Sequence, residues 1–231
     1  MQENKTFLHV FDQHTLRNIV KLTSDGLITE LIGPIGTGKE SYVFYSKDVH
    51  GYEVAVKIHR HNIQSFKEIP SYLSLRGIKS GGFLNTIDDW TRYEYKSLER
   101  AFNSGVRAPK PIGLYKNLIV MGFVGFNSVP AASAIKDSNF DLEEWYKDII
   151  GFIIKMGKSG MIHGDLSPYN ILNFDSKPYL IDFSQSLKLT SLTKEYLTRD
   201  INNINNWFLK LGKQDLLTEQ EVLDSVYGEK K

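Results

Sequence analysis

The feature that most constrains this chain is a short polar run followed by an isolated acid. His163-Gly-Asp165-Leu-Ser-Pro-Tyr-Asn170 is followed, twelve positions beyond Asn170, by Asp182 in Tyr179-Leu-Ile-Asp182-Phe-Ser. Few reactions need such a set. One carboxylate, Asp165, accepts or orients the proton of an attacking hydroxyl. An amide oxygen from Asn170 and a carboxylate from Asp182 are hard ligands suited to a divalent cation. Pro168 stiffens the loop between them. Plainer roles exist for each residue alone: Asp165 as a turn cap, Asn170 as a bridge residue of a sheet. For His163 the plainer role, a packed core histidine, is the one we assign. Taken in order, the two acids and the amide outweigh their separate structural explanations.

Upstream lies a lysine in an unusual place. Lys57 stands in Val54-Ala-Val-Lys57-Ile, a strand-like run in which a buried ammonium needs an anionic partner. A nucleotide phosphate and a helix glutamate supply one in protein kinases. Glu94 is the candidate partner, with Glu99 as competitor; an outward-facing lysine and a solvated glutamate are the bland alternatives. Before it, Gly33-Pro-Ile-Gly36-Thr-Gly38-Lys39-Glu40 falls one residue short of a P-loop, because Glu40 occupies the hydroxyl position and Ser41 comes a step late. Tyr42-Val-Phe-Tyr-Ser then reads as strand, whereas a P-loop opens a helix. Glycines between two strands instead let backbone N–H groups approach phosphates, or simply turn a hairpin. Asp165, Asn170 and Asp182 reproduce the spacing of the kinase catalytic loop and its following metal-binding acid.

Periodicity supplies the frame. A helix is expected over 12–23 with Asp12 as N-cap, then strands at Leu31-Ile-Gly-Pro-Ile, Tyr42–Ser46 and Glu53–His59. Residues 61–89 read as a long mobile insertion, after which Asp88-Asp89 is expected to cap a helix to about Ser104 with Trp90, Tyr93, Leu98 and Ala101 inward. Strands at 111–115 and 118–124 follow, then helices over 141–158 and 192–211. Thr218-Glu-Gln-Glu221 forms a capping box before a last helix.

At these residues the sequence resembles the RIO family of atypical protein kinases. Gly36-Thr-Gly-Lys-Glu-Ser41, Val54-Ala-Val-Lys57, His163-Gly-Asp165 and Ile181-Asp-Phe-Ser-Gln-Ser186 are similar to its motifs. Its first subfamily has counterparts to Val10-Phe-Asp12, Thr15-Leu16, Trp90, Ala108-Pro-Lys-Pro111, Val120-Met-Gly-Phe123 and Arg199-Asp200 followed by Asn-Asn-Ile-Asn. No winged-helix segment precedes the kinase region, unlike the second subfamily. The resemblance runs from about Phe7 to Tyr227. It implies an α+β, protein-kinase-like two-lobed fold: an N-terminal lobe over 1–121, a hinge at 122–125 and a helical C-terminal lobe over 126–231. Only 47 residues follow Ser184 and no Ala-Pro-Glu motif occurs, so the C-terminal lobe is expected to be trimmed, without a normal activation segment.

Family roles carry over where residues match. The resemblance implies ATP with Mg2+ or Mn2+ as cofactors, with Lys57, held by Glu94, on the α- and β-phosphates. Gly36, Gly38, Lys39 and Ser41 would line the phosphates, and Met121, Gly122 and Val124 the adenine. Asp165 would be the catalytic acid, with Asn170 and Asp182 holding the metal. Asp182 would also accept a phosphoryl group, making ATP hydrolysis as plausible an output as peptide phosphorylation. Gly36 and Gly122 stand where the subfamily often has Ser, which removes side-chain contacts there.

Composition sets outer bounds. With 28 Lys and Arg against 27 Asp and Glu, the chain is not uniformly basic, but five cations and one acid, Glu68, lie between Lys57 and Lys79. That excess of +4, with His59 and His61 beside it, is a candidate contact for RNA phosphates. The partners implied by resemblance are the maturing small ribosomal subunit or its RNA, with no DNA. Absence of cysteine excludes disulfides and cysteine chemistry. The first ten residues hold no apolar core of the ~7–15 residues a secretory signal needs, and no apolar run of ~18 suggests a membrane span, so a cytoplasmic location is expected. Two alternatives compete: a small-molecule phosphotransferase of the aminoglycoside or choline kinase kind, and a catalytically idle scaffold for pre-ribosomal RNA.

Overall fold

The computed structural model describes residues 11–60 and 83–228, and for 83–86 the backbone only. Two compact units emerge: residues 1–95 with 110–130, and residues 96–109 with 131–231.

The first unit begins with α1 (Gln13–Ser24). Asp12 caps it, accepting from the Thr15 N–H at 2.8 Å, as its position before the apolar periodicity anticipates. Gly26, at φ +75°, ends the helix, with its N–H on the Thr23 carbonyl and the Leu27 N–H on that of Leu22. Strands β1 (Gly33–Thr37), β2 (Ser41–Lys47), β3 (Glu53–His59), β4 (Pro111–Tyr115) and β5 (Leu118–Gly122) form an antiparallel sheet in the order β1-β2-β3-β5-β4. Strand β3 is central and buried from Val54 to His59, because both its faces are covered. Val54, Val56 and Ile58 join Leu22, Ile28, Phe44, Leu118 and Val120 in the core beside α1. The alternate residues, Lys57 and His59, point to the opposite side, where they meet Glu94. A two-stranded hairpin, β6 (Gly125–Phe126) with β7 (Val129–Pro130), completes the unit.

Helix α2 (Phe83–Asn103) passes from the first unit into the second after Tyr95. It starts five residues before the acids expected to cap it. Asp88 and Asp89 lie within it, paired with Lys116 at 3.3 Å and Arg92 at 2.6 Å, so they are surface charges of a longer helix. Of the residues expected inward, Trp90, Leu98 and Ala101 are buried and Tyr93 is half-buried. The remainder of the expected insertion, 61–82, lies outside the described residues.

The second unit is built on α3 (Leu142–Lys158), capped by Asp141 through the Glu144 N–H at 2.7 Å. Its buried face carries Trp145, Ile149, Phe152, Ile153 and Met156. Helices α4 (Lys194–Lys210) and α5 (Glu219–Tyr227) pack on it. A Cβ at Gly157 would come within 2.6 Å of Val226, so only glycine lets α5 approach this closely. The Thr218–Glu221 capping box is present with both arms made. Strand β8 (Ala132–Ser133) pairs with β10 (Ile171–Phe174), which pairs with β11 (Lys177–Leu180); β9 (Met161–Ile162) pairs with β12 (Leu187–Lys188).

Candidate active site

The first unit holds the lysine set. Lys57 is 5% exposed, and its Nζ lies 2.5 Å from Glu94 Oε1, itself a 4% exposed residue. The outward-facing alternative for Lys57 does not hold, and Glu94 rather than Glu99 is the partner. A pair this enclosed is costly to bring out of water, and removing either member leaves an uncompensated charge. Its companion element is the hairpin turn between β1 and β2. Gly36 sits opposite Val43 after a register shift, and the Gly38 N–H closes the turn on the Ser41 carbonyl at 2.9 Å. Lys39 stands exposed at the tip and Ser41 is half-buried at the start of β2. This is a strand–turn–strand, not the strand–turn–helix of a P-loop.

Strand β5 runs out through Met121 and Gly122. Gly122 gives its N–H to the Lys110 carbonyl at 2.8 Å, and a Cβ there would meet the Lys110 nitrogen at 3.3 Å. Its amide is therefore not a donor for a ligand. Val124 is buried just beyond. Glu53 clamps the hairpin that follows: its Oε1 accepts from the Ser128 N–H and the Tyr45 hydroxyl, both at 2.8 Å. Burial pushes the Glu53 carboxyl up, but those bonds and the Asn127 N–H outweigh it and hold the group below its ordinary value.

The second unit holds the acids. Pairing of β9 with β12 closes a loop that runs from His163 to Ser186. Gly164 takes φ +82°, and a Cβ on it would fall 2.3 Å from the Gln185 carbonyl oxygen, so no other residue fits before Asp165. Asp200, on α4 and 1% exposed, accepts from the N–H groups of Gly164 at 2.7 Å and Leu166 at 2.9 Å. Arg199 donates to the Gly164 carbonyl and Asn203 to that of Leu166 at 3.2 Å. One turn of α4 thereby grips both neighbours of Asp165, leaving the acid itself exposed. Burial raises the Asp200 carboxyl above its usual range, against the opposing pull of His163, the two N–H groups and Arg199.

Asn170 ends a short 3₁₀ turn, Pro168–Asn170, with the proline at its start. Its Nδ2 donates to the Asp165 carbonyl at 2.8 Å and to Asp165 Oδ2 at 3.2 Å, which turns Oδ1 the other way. Its carbonyl accepts from the Ile181 N–H at 2.9 Å, continuing the β10–β11 ladder so that Asp182 follows directly beside it. Asp182 is exposed in the left-handed region at φ 62°, ψ 75°, with the Ser184 N–H on its Oδ1 at 3.2 Å. Asparagine and aspartate tolerate that conformation better than other side chains, which store strain there. The donor set of Asn170 and Asp182 suits a hard divalent cation: an amide oxygen and a carboxylate, with no nitrogen or sulfur ligand. His163 is a core residue, 1% exposed, its Nε2 3.0 Å from the Ile181 carbonyl and its ring 5.0 Å from that of Phe183.

The structure thus brings Lys57 together with Glu94, and Asp165 together with Asn170 and Asp182. Sequence reasoning gave no role to Asp200, Arg199, Asn203 or Glu53. A signal for Asp200 existed: it shares a helical face with Leu197, Ile201 and Ile204, where a solvated acid does not belong. Of the basic stretch, two cations lie among the described residues. Lys57 is spent on Glu94 and Arg60 lies over the Tyr42 ring at 3.9 Å. Lys67, Arg76 and Lys79 lie outside the described residues, as does His61. His59 is buried, and no metal-binding cluster of three occurs among the described residues.

Sheet, lysine–glutamate pair and clamped acid loop together define a protein-kinase-like fold. A family model for the RIO domain matches residues 42–222. The RIO-type serine/threonine-protein kinase Rio1 of Haloferax volcanii is 35% identical over 211 residues, covering 88% of this chain and 71% of that protein. The Rio1 kinase of Methanocaldococcus jannaschii is 34% identical and covered to 73%, whereas human RIO1, 30% identical, is covered to 41%. In three dimensions the chain is similar to the Rio2 kinase–ADP/Mg2+–phosphoaspartate complex of Chaetomium thermophilum, with a TM-score of 0.71 over 92% of this chain and 66% of that one; at 23% identity this likeness concerns the fold. The chain belongs to the RIO family of protein kinases, and its relatives fit the first subfamily.

Proposed function

We propose that this protein is an ATP- and magnesium-dependent phosphotransferase that phosphorylates itself. The observation that carries this is the Asp165–Asn170 pair, hydrogen-bonded to each other on a loop that α4 clamps from beneath. In this reading Lys57, aimed by Glu94, binds phosphate oxygens of the nucleotide. Gly36, Gly38, Lys39 and Ser41 line the phosphates, and Met121, the Gly122 carbonyl and Val124 receive the adenine. Asn170 Oδ1 and Asp182 hold the magnesium, which when bound neutralises phosphate charge. Asp165 orients the attacking group and takes its proton where that group is a hydroxyl or water.

Asp182 serves as acceptor in the same reading. One of its oxygens bonds to the γ-phosphorus while the bond to the β-γ bridging oxygen breaks and ADP departs. Water then hydrolyses the acyl phosphate, restoring the carboxylate and releasing phosphate. The net reaction is ATP hydrolysis, with serine or threonine phosphorylation as a second output. Maturation of the small ribosomal subunit is the setting that the family resemblance implies, and we place the protein there.

The test is ATP turnover and self-labelling by purified protein with magnesium, beside Asp165→Ala. Loss of both activities in the variant, with unchanged melting temperature, is the expected result. Equal rates in the two proteins contradict the assignment. Turnover that appears only on adding an aminoalcohol or aminoglycoside supports a small-molecule kinase instead.

A further inference from the structure

Lys57 and His59 lie on one face of β3, about 7 Å apart along the strand. Glu94 meets both. Its Oε1 is 2.5 Å from Lys57 Nζ and its Oε2 is 2.8 Å from His59 Nε2. The second contact is a close approach within ion-pair distance and not a hydrogen bond. His59 is 1% exposed, deeper than either partner. A polar ring buried so far from water is costly unless something uses it, and the proposed chemistry calls only for the lysine and the glutamate.

The backbone of His59 is pinned as well. Its N–H donates to the Asn117 carbonyl at 2.9 Å, and its carbonyl accepts from Asn117 Nδ2 at 2.8 Å. The same Nδ2 reaches Thr15 Oγ1 at 3.0 Å, and Asn18 Nδ2 donates to Asn117 Oδ1 at 2.8 Å. A run of polar groups therefore leads from α1 through Asn117 to the His59 backbone, with the His59 ring set against Glu94, all within the first unit.

A carboxylate held at one oxygen can turn about that contact, and one held at both cannot. We propose that His59 is a positioning residue: it holds the second oxygen of Glu94, so that the first stays on Lys57 and the ammonium is aimed at the nucleotide phosphates. Asn117, anchored on α1, keeps the histidine at the required depth. The inference rests on the proposed nucleotide role of Lys57 and Glu94.

Calorimetric titration with magnesium–ATP and, separately, with adenosine tests it on wild type, Lys57→Met, His59→Leu, His59→Phe and His59→Gln. Adenosine lacks the phosphates and reports damage to the rest of the site. His59→Leu, or His59→Phe where ring volume is needed for folding, should weaken ATP binding about tenfold while adenosine binding is unchanged. His59→Gln, which returns an N–H donor near the Nε2 position, should restore most of the ATP affinity. Wild-type ATP affinity in the apolar variants overturns the inference, as does parallel loss of ATP and adenosine or failure of Gln to rescue. If Lys57→Met weakens ATP binding and the apolar variants do not, the role of His59 alone fails. If Lys57→Met binds ATP as wild type does, the nucleotide role of the pair fails and takes the inference with it.

Discussion

At the scale of single residues, the acid loop separates chemistry from support. Asp165 is exposed, so Asp165→Asn should abolish turnover and leave the melting temperature where it was; activity and thermal denaturation on one preparation check both halves. Asp200 is the reverse case. Asp200→Ala orphans the N–H groups of Gly164 and Leu166 in a buried site, and should cost about 2–4 kcal/mol in urea unfolding as well as activity. Gly164→Ala should behave like Asp200→Ala, because its Cβ has a carbonyl oxygen in the way. Why Asp165, Asn170 and Asp182 were legible in the sequence while Asp200 drew no role follows from this contrast. Reacting groups carry a spacing dictated by the reaction, whereas a supporting acid is placed by a helix that folds back from thirty-odd residues away.

Among elements, helices showed themselves by period and caps. Asp12 and the Thr218–Glu221 box mark starts that the structure reproduces, since capping is a local bond between near neighbours. The start of α2 was not legible. Asp88 and Asp89 look like caps until Lys116 and Arg92 are seen beside them, and the first of those partners is remote in sequence. Strand β3 was legible as a strand but not in its facing, because a strand covered on both sides loses the alternation that tells its faces apart.

The hairpin β6–β7 offers a pH test. Glu53 titrates below its ordinary value in the folded protein, so it contributes stability that is complete above the unfolded-state value, near 4.3, and is lost as pH falls through the folded one. Glu53→Gln should therefore cost about 1 kcal/mol from pH 7 down to about pH 5 and progressively less below about pH 4.3, read from urea midpoints between about pH 7 and pH 3. A cost that does not vary with pH contradicts the clamp.

For the whole molecule, nucleotide binding should appear as stability. Magnesium–ATP at about a hundred times its dissociation constant should stabilise the folded chain by about 2.7 kcal/mol, seen as a raised melting temperature. Lys57→Met should lose that rise. Mean charge says little at this scale: the near-zero total is made of pairs such as Lys57–Glu94, Arg107–Asp148 and Lys213–Glu143, which spend cations internally. Fold class and family were legible because several short motifs, each tied to one chemical task, occur in order along the chain. Which groups lie buried and which support the acids depended on long-range packing.

Intact mass and site mapping after incubation with magnesium–ATP, in conditions that preserve acyl phosphates, test the central claim most directly. One phosphoryl group on Asp182 in the wild type, absent in Asp182→Ala and in Asp165→Ala, is the predicted result. A chain that gains no phosphate, or that gains the same phosphate in all three proteins, contradicts it.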